Sequence, residues 1–211
     1  MRDLVFEEAA VLRRLQPDVI IDCGAFEGRE ATRYLLSTNA DVWLFEPQPD
    51  LFKNLSGRFD QNQRVRLYEV ALSDRASHQN FYINTNKQTS SLLQGNFVVG
   101  FDNDMRTETE ISVRLDRLDH IKELSTKNRI HMKIDVQGHE LSLLKGCTGI
   151  LSKVHSLVVE THILDAYSGQ SKMTDVFNFL IEEGFTCRGV YNQLKNTDYA
   201  LLQFDSLWVR S

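Results

Sequence analysis

Short apolar runs alternate with segments of helical spacing over the first third of the chain. Residues 1–17 have apolar positions at helical spacing and predict an amphipathic helix that ends at Pro17. Three runs rich in β-branched and aromatic residues then predict strands, with helical composition between them. The predicted strands cover residues 19–21, 42–45 and 65–71, and the predicted helices cover residues 27–36 and 50–55, with Asp50 as a cap.

The segment 84–110 interrupts this alternation. It is polar, rich in Asn, Thr and Ser, and has few periodic apolar positions. Connections of this length without regular structure are uncommon in compact domains and are often functional. Two interpretations stay open, a lid over a binding site and a flexible excursion on the surface.

Regular patterns return after this segment and run to the end of the chain. Residues 111–113 are followed by an expected helix near 115–124. Gly184 stands just past another expected helix, where glycine is favoured. Further strands are predicted at 130–134, 157–159, 185–191 and 200–209, and further helices at 139–151 and 175–183.

The order of these elements predicts the fold class. Alternation of strands and helices is typical of an open parallel sheet with helices on both faces. The last two strands are close in sequence, which predicts an antiparallel hairpin at the sheet edge. We therefore expect a three-layer α/β/α, Rossmann-like fold with a mostly parallel sheet, in a single domain that spans residues 1–211.

Acidic residues directly follow four of the predicted strands. Asp22, Glu46, Asp135 and Glu160 each come after an apolar run. Any one of them is explained equally well as a cap of the next helix. In an open α/β sheet, however, ligands bind outside the carboxyl ends of the strands. Four acids at that edge therefore predict one binding crevice.

The loop after the first strand indicates the kind of ligand. It begins at Asp22 and contains Gly24 and Gly28, which allow a tight turn and close approach of the backbone. The third glycine of the dinucleotide fingerprint is missing, and an acid here suits a cation better than a pyrophosphate. Glu46 is placed to accept hydrogen bonds from ribose hydroxyls. S-adenosylmethionine, which has an ammonium, a sulfonium and no phosphate, fits these features, and a nicotinamide-dependent oxidoreductase is the alternative.

A series of short motifs runs in order along the chain. The first motifs are Asp22-x-Gly24-Ala25-x-x-Gly28, Phe45-Glu46-Pro47, Val70-Ala71-Leu72-Ser73-Asp74 and Ser90-Ser91-Leu92. The later motifs are KIDVQGHE at 133–140, LKG at 144–146, YSGQ at 167–170 and LQFD at 202–205. In this order they resemble the FkbM family of S-adenosylmethionine-dependent methyltransferases. Gln137 stands where that family often has Glu.

The resemblance implies an activity and a set of ligands. The family transfers a methyl group from S-adenosylmethionine to a hydroxyl, commonly of a sugar or another secondary metabolite. A small-molecule or glycan acceptor is therefore expected, and the segment around Ala71 and Leu72 is expected to line the adenine. Together with the residues discussed above, the predicted cofactor-binding set is Asp22, Gly24, Ala25, Gly28, Glu46, Pro47, Ala71, Leu72 and Asp135.

Such a transfer needs a group that activates the acceptor, because an aliphatic hydroxyl is a poor nucleophile. The candidates are Asp135, His139, Glu160 and His162. Either histidine is explained equally well as a surface or helix-capping residue. A divalent cation held by Asp135, Glu160 and His162 is a further alternative, although the spacing does not require a metal. Lys133 lies on the same strand face as Asp135 and could pair with a carboxylate.

Composition narrows the function class. The net charge of −5 argues against a general affinity for nucleic acid. Cys23, Cys147 and Cys187 show neither disulfide nor zinc-ligand spacing. The sequence has no signal peptide and no membrane-spanning run, so a cytoplasmic enzyme is expected. A catalytically silent protein that binds the same cofactor is the remaining alternative, although the loop glycines and Glu46 are present.

Overall fold

The computed structural model describes residues 3–96 and 105–210. The helices are α1 (Leu4–Leu15), α2 (Arg29–Ser37), α3 (Pro49–Phe59), α4 (Glu140–Lys145) and α5 (Met173–Glu182). The strands are β1 (Val19–Cys23), β2 (Asp41–Phe45), β3 (Val65–Tyr68), β4 (Ala71–Leu72), β5 (Ser77–Asn84), β6 (Thr107–Asp116), β7 (Ile130–Ile134), β8 (Val154–His162), β9 (Phe185–Lys195) and β10 (Leu201–Arg210). Short 3-10 helices lie at Lys87–Thr89, Leu118–His120, Lys122–Thr126 and Leu151–Lys153.

A seven-stranded sheet organises the fold, in the order β3-β2-β1-β7-β8-β10-β9. The first five strands in this order, β3, β2, β1, β7 and β8, are parallel to one another. Strand β10 is antiparallel to both β8 and β9. The predicted fold class is therefore confirmed, including the antiparallel hairpin at the sheet edge. Gly184 follows α5 with a φ of +83°, as its predicted place just past a helix requires.

Apolar side chains pack on both faces of this sheet. Every residue of β1 is buried, and alternate positions point to opposite faces. Val19 and Ile21 pack in a core cluster that includes residues of α4 and α5, whereas Ile20 packs with residues of α1, α2 and α3. Strands buried on both faces explain the continuous apolar runs in the sequence. No helix among residues 3–96 and 105–210 is long and apolar enough to cross a bilayer.

The third predicted strand is divided between two sheets. Val65–Tyr68 continues the main sheet as β3, but Ala71–Leu72 pairs in parallel with β6. The chain leaves β2 after Tyr68, and the two residues of β4 begin a second, three-stranded sheet in the order β4-β6-β5. A single apolar run does not reveal such a change of pairing, because both halves are compatible with a strand.

The segment 84–110 is more regular than its composition predicts. Asn84 ends β5, and residues from Thr107 onward belong to β6, which pairs with β5 in antiparallel register. A 3-10 helix at Lys87–Thr89 and an isolated bridge between Tyr82 and Ser91 order the part between them. Residues 97–104 of this segment lie outside the described residues.

The helix expected near 115–124 is not formed. Strand β6 runs through Asp116, and two short 3-10 helices follow it. Val113 and Leu115 are buried while Arg114 between them is exposed, which is the period-two pattern of a strand. The cross-strand pairing with β5 therefore decides the conformation over helical spacing.

Two other helices start or end elsewhere than expected. The helix expected at 139–151 is limited to α4, whose C-cap is Gly146. A Cβ atom on Gly146 would lie 1.9 Å from the carbonyl oxygen of Ser73, so the chain needs glycine at this close approach. Asp50 lies in the first turn of α3, and the N-cap is Gln48 rather than Asp50, with Pro49 as the first helical residue.

Candidate active site

A cavity of about 350 Å³ opens at the carboxyl ends of β1, β2 and β7, bordered by β8 and β10. The four predicted acids, Asp22, Glu46, Asp135 and Glu160, all line it, so the predicted convergence is present. Other predicted cofactor-binding residues that line it are Gly24, Ala25, Pro47, Ala71 and Leu72. Gly28 supports the loop from outside the cavity wall.

Asp22 is the acid whose side chain lacks bonding partners. It is 1% exposed, and among the described residues neither carboxylate oxygen has a hydrogen-bond partner. Burial raises the pKa of Asp22 to about 7, although the positive charge of Lys133 opposes this increase. A buried carboxyl without partners is unfavourable, so a ligand group that donates hydrogen bonds or carries a positive charge would stabilise it.

The loop after β1 is held close to the ends of two neighbouring strands. Gly24 has a φ of +83°, and a Cβ atom there would lie 2.0 Å from the carbonyl oxygen of Asp135. Its N–H and that of Ala25 both donate to the carbonyl oxygen of Phe45, at 3.0 and 3.1 Å. At Gly28, with a φ of +73°, a Cβ atom would lie 2.7 Å from Leu55. Gly24 is therefore required for the loop to lie so near the sheet, whereas Gly28 allows the loop to pack closely against α3.

Glu46 fastens this loop to β2. Its Oε2 accepts a hydrogen bond from the N–H of Phe26 at 2.8 Å, and its Oε1 accepts one from the N–H of Gln48 at 2.9 Å. Burial raises the pKa of Glu46 to about 7, although these two N–H donors oppose the increase. Each carboxylate oxygen can accept more than one hydrogen bond, so Glu46 can bind ligand hydroxyls without breaking these contacts.

Apolar residues from the second sheet form another wall of the cavity. Ala71 and Leu72 of β4 line it together with Phe81 and Leu92. Pro47 lies on the same lining, next to Glu46. This arrangement suits a flat, weakly polar ring next to a polar sugar-like group.

Asp135 and Glu160 form a hydrogen-bonded set with two other side chains. The Nζ of Lys133 donates to Oδ2 of Asp135 at 2.8 Å, so the expected pairing of Lys133 is confirmed. The Nε2 of Gln137 donates both to Oδ1 of Asp135 at 2.7 Å and to Oε2 of Glu160 at 2.6 Å. Gln137 thus connects the two carboxyl groups.

The two carboxyl groups differ in charge state. Burial would raise the pKa of Asp135, but the charge of Lys133 and the hydrogen bonds that Asp135 makes, including those from Lys133 and Gln137, together outweigh burial and hold this pKa below its usual range. Burial and then the charge of Asp135 raise the pKa of Glu160 well above its usual range. Asp135 is therefore the ionised member of the pair near neutral pH, and Glu160 carries a proton.

Neither candidate histidine lines the cavity. The Nε2 of His139 lies 3.0 Å from Oγ of Ser73, and His139 occupies the N-cap position of α4. The Nε2 of His162 lies 3.9 Å from Oε2 of Glu160, and its ring packs edge-on against Tyr167. Burial lowers the pKa of each histidine to about 4, so both are neutral near pH 7. Of the two histidines, only His162 is near the carboxyl pair.

Asp205 is a cavity residue that the sequence patterns did not single out for a role. It lies opposite Glu160 in the register of β10 and β8 and lines the cavity. Its Oδ2 accepts a hydrogen bond from Nδ2 of Asn192 at 2.7 Å, and burial raises its pKa. In the sequence, Asp205 is visible as a lone acid in an apolar strand and as the last residue of the LQFD motif. Its place in the cavity wall follows only from the strand order, which puts β10 beside β8.

The arrangement of these groups bears on the cation alternative. Among residues 3–96 and 105–210, no three His, Cys, Asp or Glu side chains are arranged to hold a metal ion. Asp135 and Glu160 already share the amide of Gln137, and His162 is the more distant group.

Comparisons with known proteins agree with the geometry. The sequence profile of the "Methyltransferase FkbM domain" matches residues 22–187. The hexuronic acid methyltransferase AglP of Haloferax volcanii is 31% identical over 160 residues, which cover 75% of this chain and 60% of that protein. The 2-O-methyltransferase NoeI of Sinorhizobium fredii is 28% identical over 180 residues, covering 78% of this chain and 72% of that protein. This chain therefore spans only about 60% of the length of the first of these relatives.

The fold also matches solved structures. Precorrin-6y C5,15-methyltransferase from Geobacter metallireducens superposes with a TM-score of 0.52 at 12% identity, covering 99% of this chain and 88% of that one. At this identity the likeness concerns the fold alone.

Proposed function

This chain belongs to the FkbM methyltransferase family, and we propose that it methylates a hydroxyl group of a sugar, with S-adenosylmethionine as the methyl donor. The family membership agrees with the motif series in the sequence and weighs against a nicotinamide-dependent oxidoreductase. The name of one relative, a hexuronic acid methyltransferase, supports a sugar as the acceptor, and the name of the other, a 2-O-methyltransferase, supports an oxygen as the methylated atom.

The state of Asp22 is the observation that carries the proposal. Its buried carboxyl group, whose oxygens have no hydrogen-bond partner among residues 3–96 and 105–210, faces a cavity that seven acidic side chains line. These are Asp22, Glu27, Glu30, Glu46, Asp135, Glu160 and Asp205. Three basic side chains, Arg29, Lys87 and Lys133, line the same cavity, so acids outnumber bases there. A ligand with an ammonium and a sulfonium therefore suits this lining better than a pyrophosphate does.

The residues present fit the proposed cofactor. Glu46 retains lone pairs for ribose hydroxyls, and the wall formed by Ala71, Leu72 and Pro47 suits an adenine ring. Gly24 lets the loop that lines the cavity lie against the end of β7, and Asp22 would face the positively charged end of the cofactor. When bound, S-adenosylmethionine supplies a methyl group on a positively charged sulfur.

The chain itself must place the acceptor hydroxyl and remove its proton. We assign proton removal to Asp135, because it is the ionised member of the pair and lines the cavity. Glu160, which carries a proton, can donate a hydrogen bond to an acceptor oxygen and so orient the sugar. His139 has no direct part in this assignment, since it bonds to Ser73 outside the cavity.

The candidate lid remains a proposal for its described part. Lys87, Gln88, Ser90 and Leu92 line the cavity, so this segment borders the ligand rather than lying elsewhere on the surface. We propose that residues 84–96 restrict access of water once both ligands are bound.

Two measurements test the function. Calorimetry should detect binding of S-adenosylhomocysteine, the product of the cofactor, and no binding of NAD. Labelled S-adenosylmethionine should then transfer label to an oxygen of a sugar in a panel of uronic acids, neutral sugars and amino sugars. Binding without transfer to any sugar would identify a silent cofactor-binding protein or a different acceptor class, and tight NAD binding would contradict the cofactor assignment.

A further inference from the structure

Gln137 occupies the centre of a hydrogen-bonded set that the assigned roles do not explain. Both hydrogens of its amide nitrogen are used, since Nε2 lies 2.7 Å from Asp135 and 2.6 Å from Glu160. Its Oε1 accepts a hydrogen bond from the hydroxyl of Tyr167 at 2.6 Å. Gln137 is 9% exposed and lines the cavity. Every polar atom of this side chain is therefore bonded inside the site.

The carboxyl pair and Tyr167 together fix the orientation of the amide. The ionised carboxylate of Asp135 can only accept hydrogen bonds, so the amide nitrogen faces it and Oε1 faces Tyr167. A hydroxyl group can donate as well as accept, and that of Tyr167 donates to Oε1 in this orientation. Tyr167 is 1% exposed, and its hydroxyl also lies 3.0 Å from the carbonyl oxygen of Thr89. The ring is thus fixed both by packing and by a second contact.

The backbone at Gln137 is held in an unusual conformation. Its φ is +54°, in the left-handed region that non-glycine residues seldom adopt, and Gly138 follows with a φ of +97°. The carbonyl oxygen of Gln137 accepts a hydrogen bond from Oγ of Ser91 at 2.7 Å. Such a conformation persists only where surrounding contacts enforce it, and it is concentrated at functional sites. Here it directs the side chain back over the strand ends.

The chemistry of an amide differs from that of an acid at this position. Two N–H donors stabilise negative charge on both neighbouring carboxyl groups. A glutamate would remove both donors and would bring a third acidic group to within hydrogen-bonding distance of two others.

The charged and titratable groups that surround the set are Asp22 on β1, Lys133 on β7, His162 on β8, Tyr167, Glu140 on α4 and Asp205 on β10. Lys133 is the cation among them, and it donates to Asp135 alone.

We propose that Gln137 is a positioning residue for acceptor activation: its amide holds Asp135 and Glu160 side by side with one proton between them, and the hydroxyl of Tyr167 stabilises that orientation of the amide. The proposal rests on the proposed methyl transfer, because Asp135 is the proton acceptor there. Without the two N–H donors, the pair would bind protons more tightly. Proton removal would then require a higher pH.

The experiment compares Gln137→Met, which keeps the length but has no donor, with the wild type. Gln61→Met, at an exposed glutamine after α3, is the matched control. In Gln137→Met we expect kcat to fall about 10-fold to 100-fold near pH 7, because the two carboxyl groups lose the contact that holds them in place. We expect the acidic limb of the pH–rate profile to move up by about one pH unit, because the pair loses two N–H donors. Affinity for S-adenosylhomocysteine should change less than about twofold, and Gln61→Met should match the wild type.

Two further variants separate positioning from general support of the fold. Tyr167→Phe keeps the ring and removes the hydroxyl, so it should shift the pH limb in the same direction by a smaller amount. Gln137→Glu should shift it further than Gln137→Met, because it adds an acid as well as removing donors. A lower kcat with an unmoved pH limb in all three variants would show a structural role alone and overturn the proposal.

A second measurement does not depend on the acceptor. Carbon-13 NMR of the carboxyl groups, with S-adenosylhomocysteine bound, follows protonation of Asp135 and Glu160 directly. We expect both to titrate at higher pH in Gln137→Met and Tyr167→Phe than in the wild type. Identical titration would overturn the proposal whether or not any sugar is methylated. A shifted titration in a protein that methylates no sugar would instead refute the proposed function and leave the control of the pair by Gln137 established.

Discussion

The carboxylate of Glu46 accepts a hydrogen bond at 2.8 Å from the backbone N–H of Phe26, which precedes it by 20 residues. Phe26 has a φ of +48°, so the loop after β1 is in a conformation that depends on such external contacts. A single side chain thus both shapes the glycine loop and faces the cavity. Substitution of Glu46 is consequently expected to affect ligand binding in two ways.

Glu46→Ala should weaken binding of S-adenosylmethionine by about 1.5–3 kcal/mol, the range for hydrogen bonds to a charged group. Calorimetry with the cofactor or its product measures this change. Glu27→Gln is the matched control, since Glu27 lines the same cavity with a half-exposed side chain that pairs with Arg29. An unchanged dissociation constant in Glu46→Ala would contradict the ribose assignment.

Asp22→Asn should stabilise the ligand-free protein while weakening cofactor binding. The folded pKa of Asp22, about 7, lies above the usual value of 3.8, so folding is favoured at low pH and loses stability as pH rises from about 4 to 7. Asparagine cannot ionise, and we expect the variant to gain up to about 4 kcal/mol relative to wild type at pH 8, but little at pH 4. Denaturant unfolding at the two pH values tests this. A gain that is equal at both pH values would show that ionisation of Asp22 is not its cause.

Asp135→Asn keeps the shape of the side chain and removes the charge. The rate of methyl transfer should fall by about 100-fold or more, while cofactor affinity changes little.

A chelator-insensitive rate in the wild type would support proton transfer, and a chelator-sensitive rate restored by magnesium would support the cation alternative. His139→Gln should leave the rate nearly unchanged, because His139 does not line the cavity. Near-normal turnover by Asp135→Asn would transfer the role of base to Glu160.

Gly24→Ala should abolish cofactor binding or folding. The added Cβ atom would lie 2.0 Å from the carbonyl oxygen of Asp135, and the φ of +83° is unfavourable for alanine. Gly57→Ala is the matched control, because Gly57 is inside α3 and, among the described residues, a Cβ built there meets no atom within 4 Å apart from its chain neighbours and the backbone of its own helix. It should raise stability by up to about 1 kcal/mol. Thermal unfolding and calorimetry measure both effects, and a well-folded Gly24→Ala protein with normal affinity would refute the close-approach explanation.

Hydrogen exchange tests the candidate lid. Amides in residues 84–96 should exchange more slowly when cofactor product and acceptor are both present than when either is present alone. The exposed residues of α3 are a reference that ligands should not affect. Equal exchange in all states would indicate a plain surface loop.

The sequence by itself determined the main strands, their acidic ends and the family. Strands buried on both faces leave continuous apolar runs such as 19–21 and 42–45, and an acid or a glycine marks where such a run ends. These features can therefore be predicted from the local sequence. The motif series from Asp22 to Asp205 depends on residue identity and order, which the sequence contains completely. The acids at the strand ends were predicted to converge because parallel strands share one carboxyl edge.

Tertiary structure alone decided which side chains meet at the carboxyl edge of the sheet. Each histidine follows a predicted acid by a few residues, Asp135 before His139 and Glu160 before His162. The ring of His139 nevertheless contacts Ser73, whereas the ring of His162 lies near Glu160. Asp205 reaches the site because β10 inserts beside β8, and Gln137 bridges two acids because its backbone is held at positive φ. Local spacing specifies the period and the ends of an element, but such contacts depend on strand order and chain reversals, which bring together residues far apart in sequence.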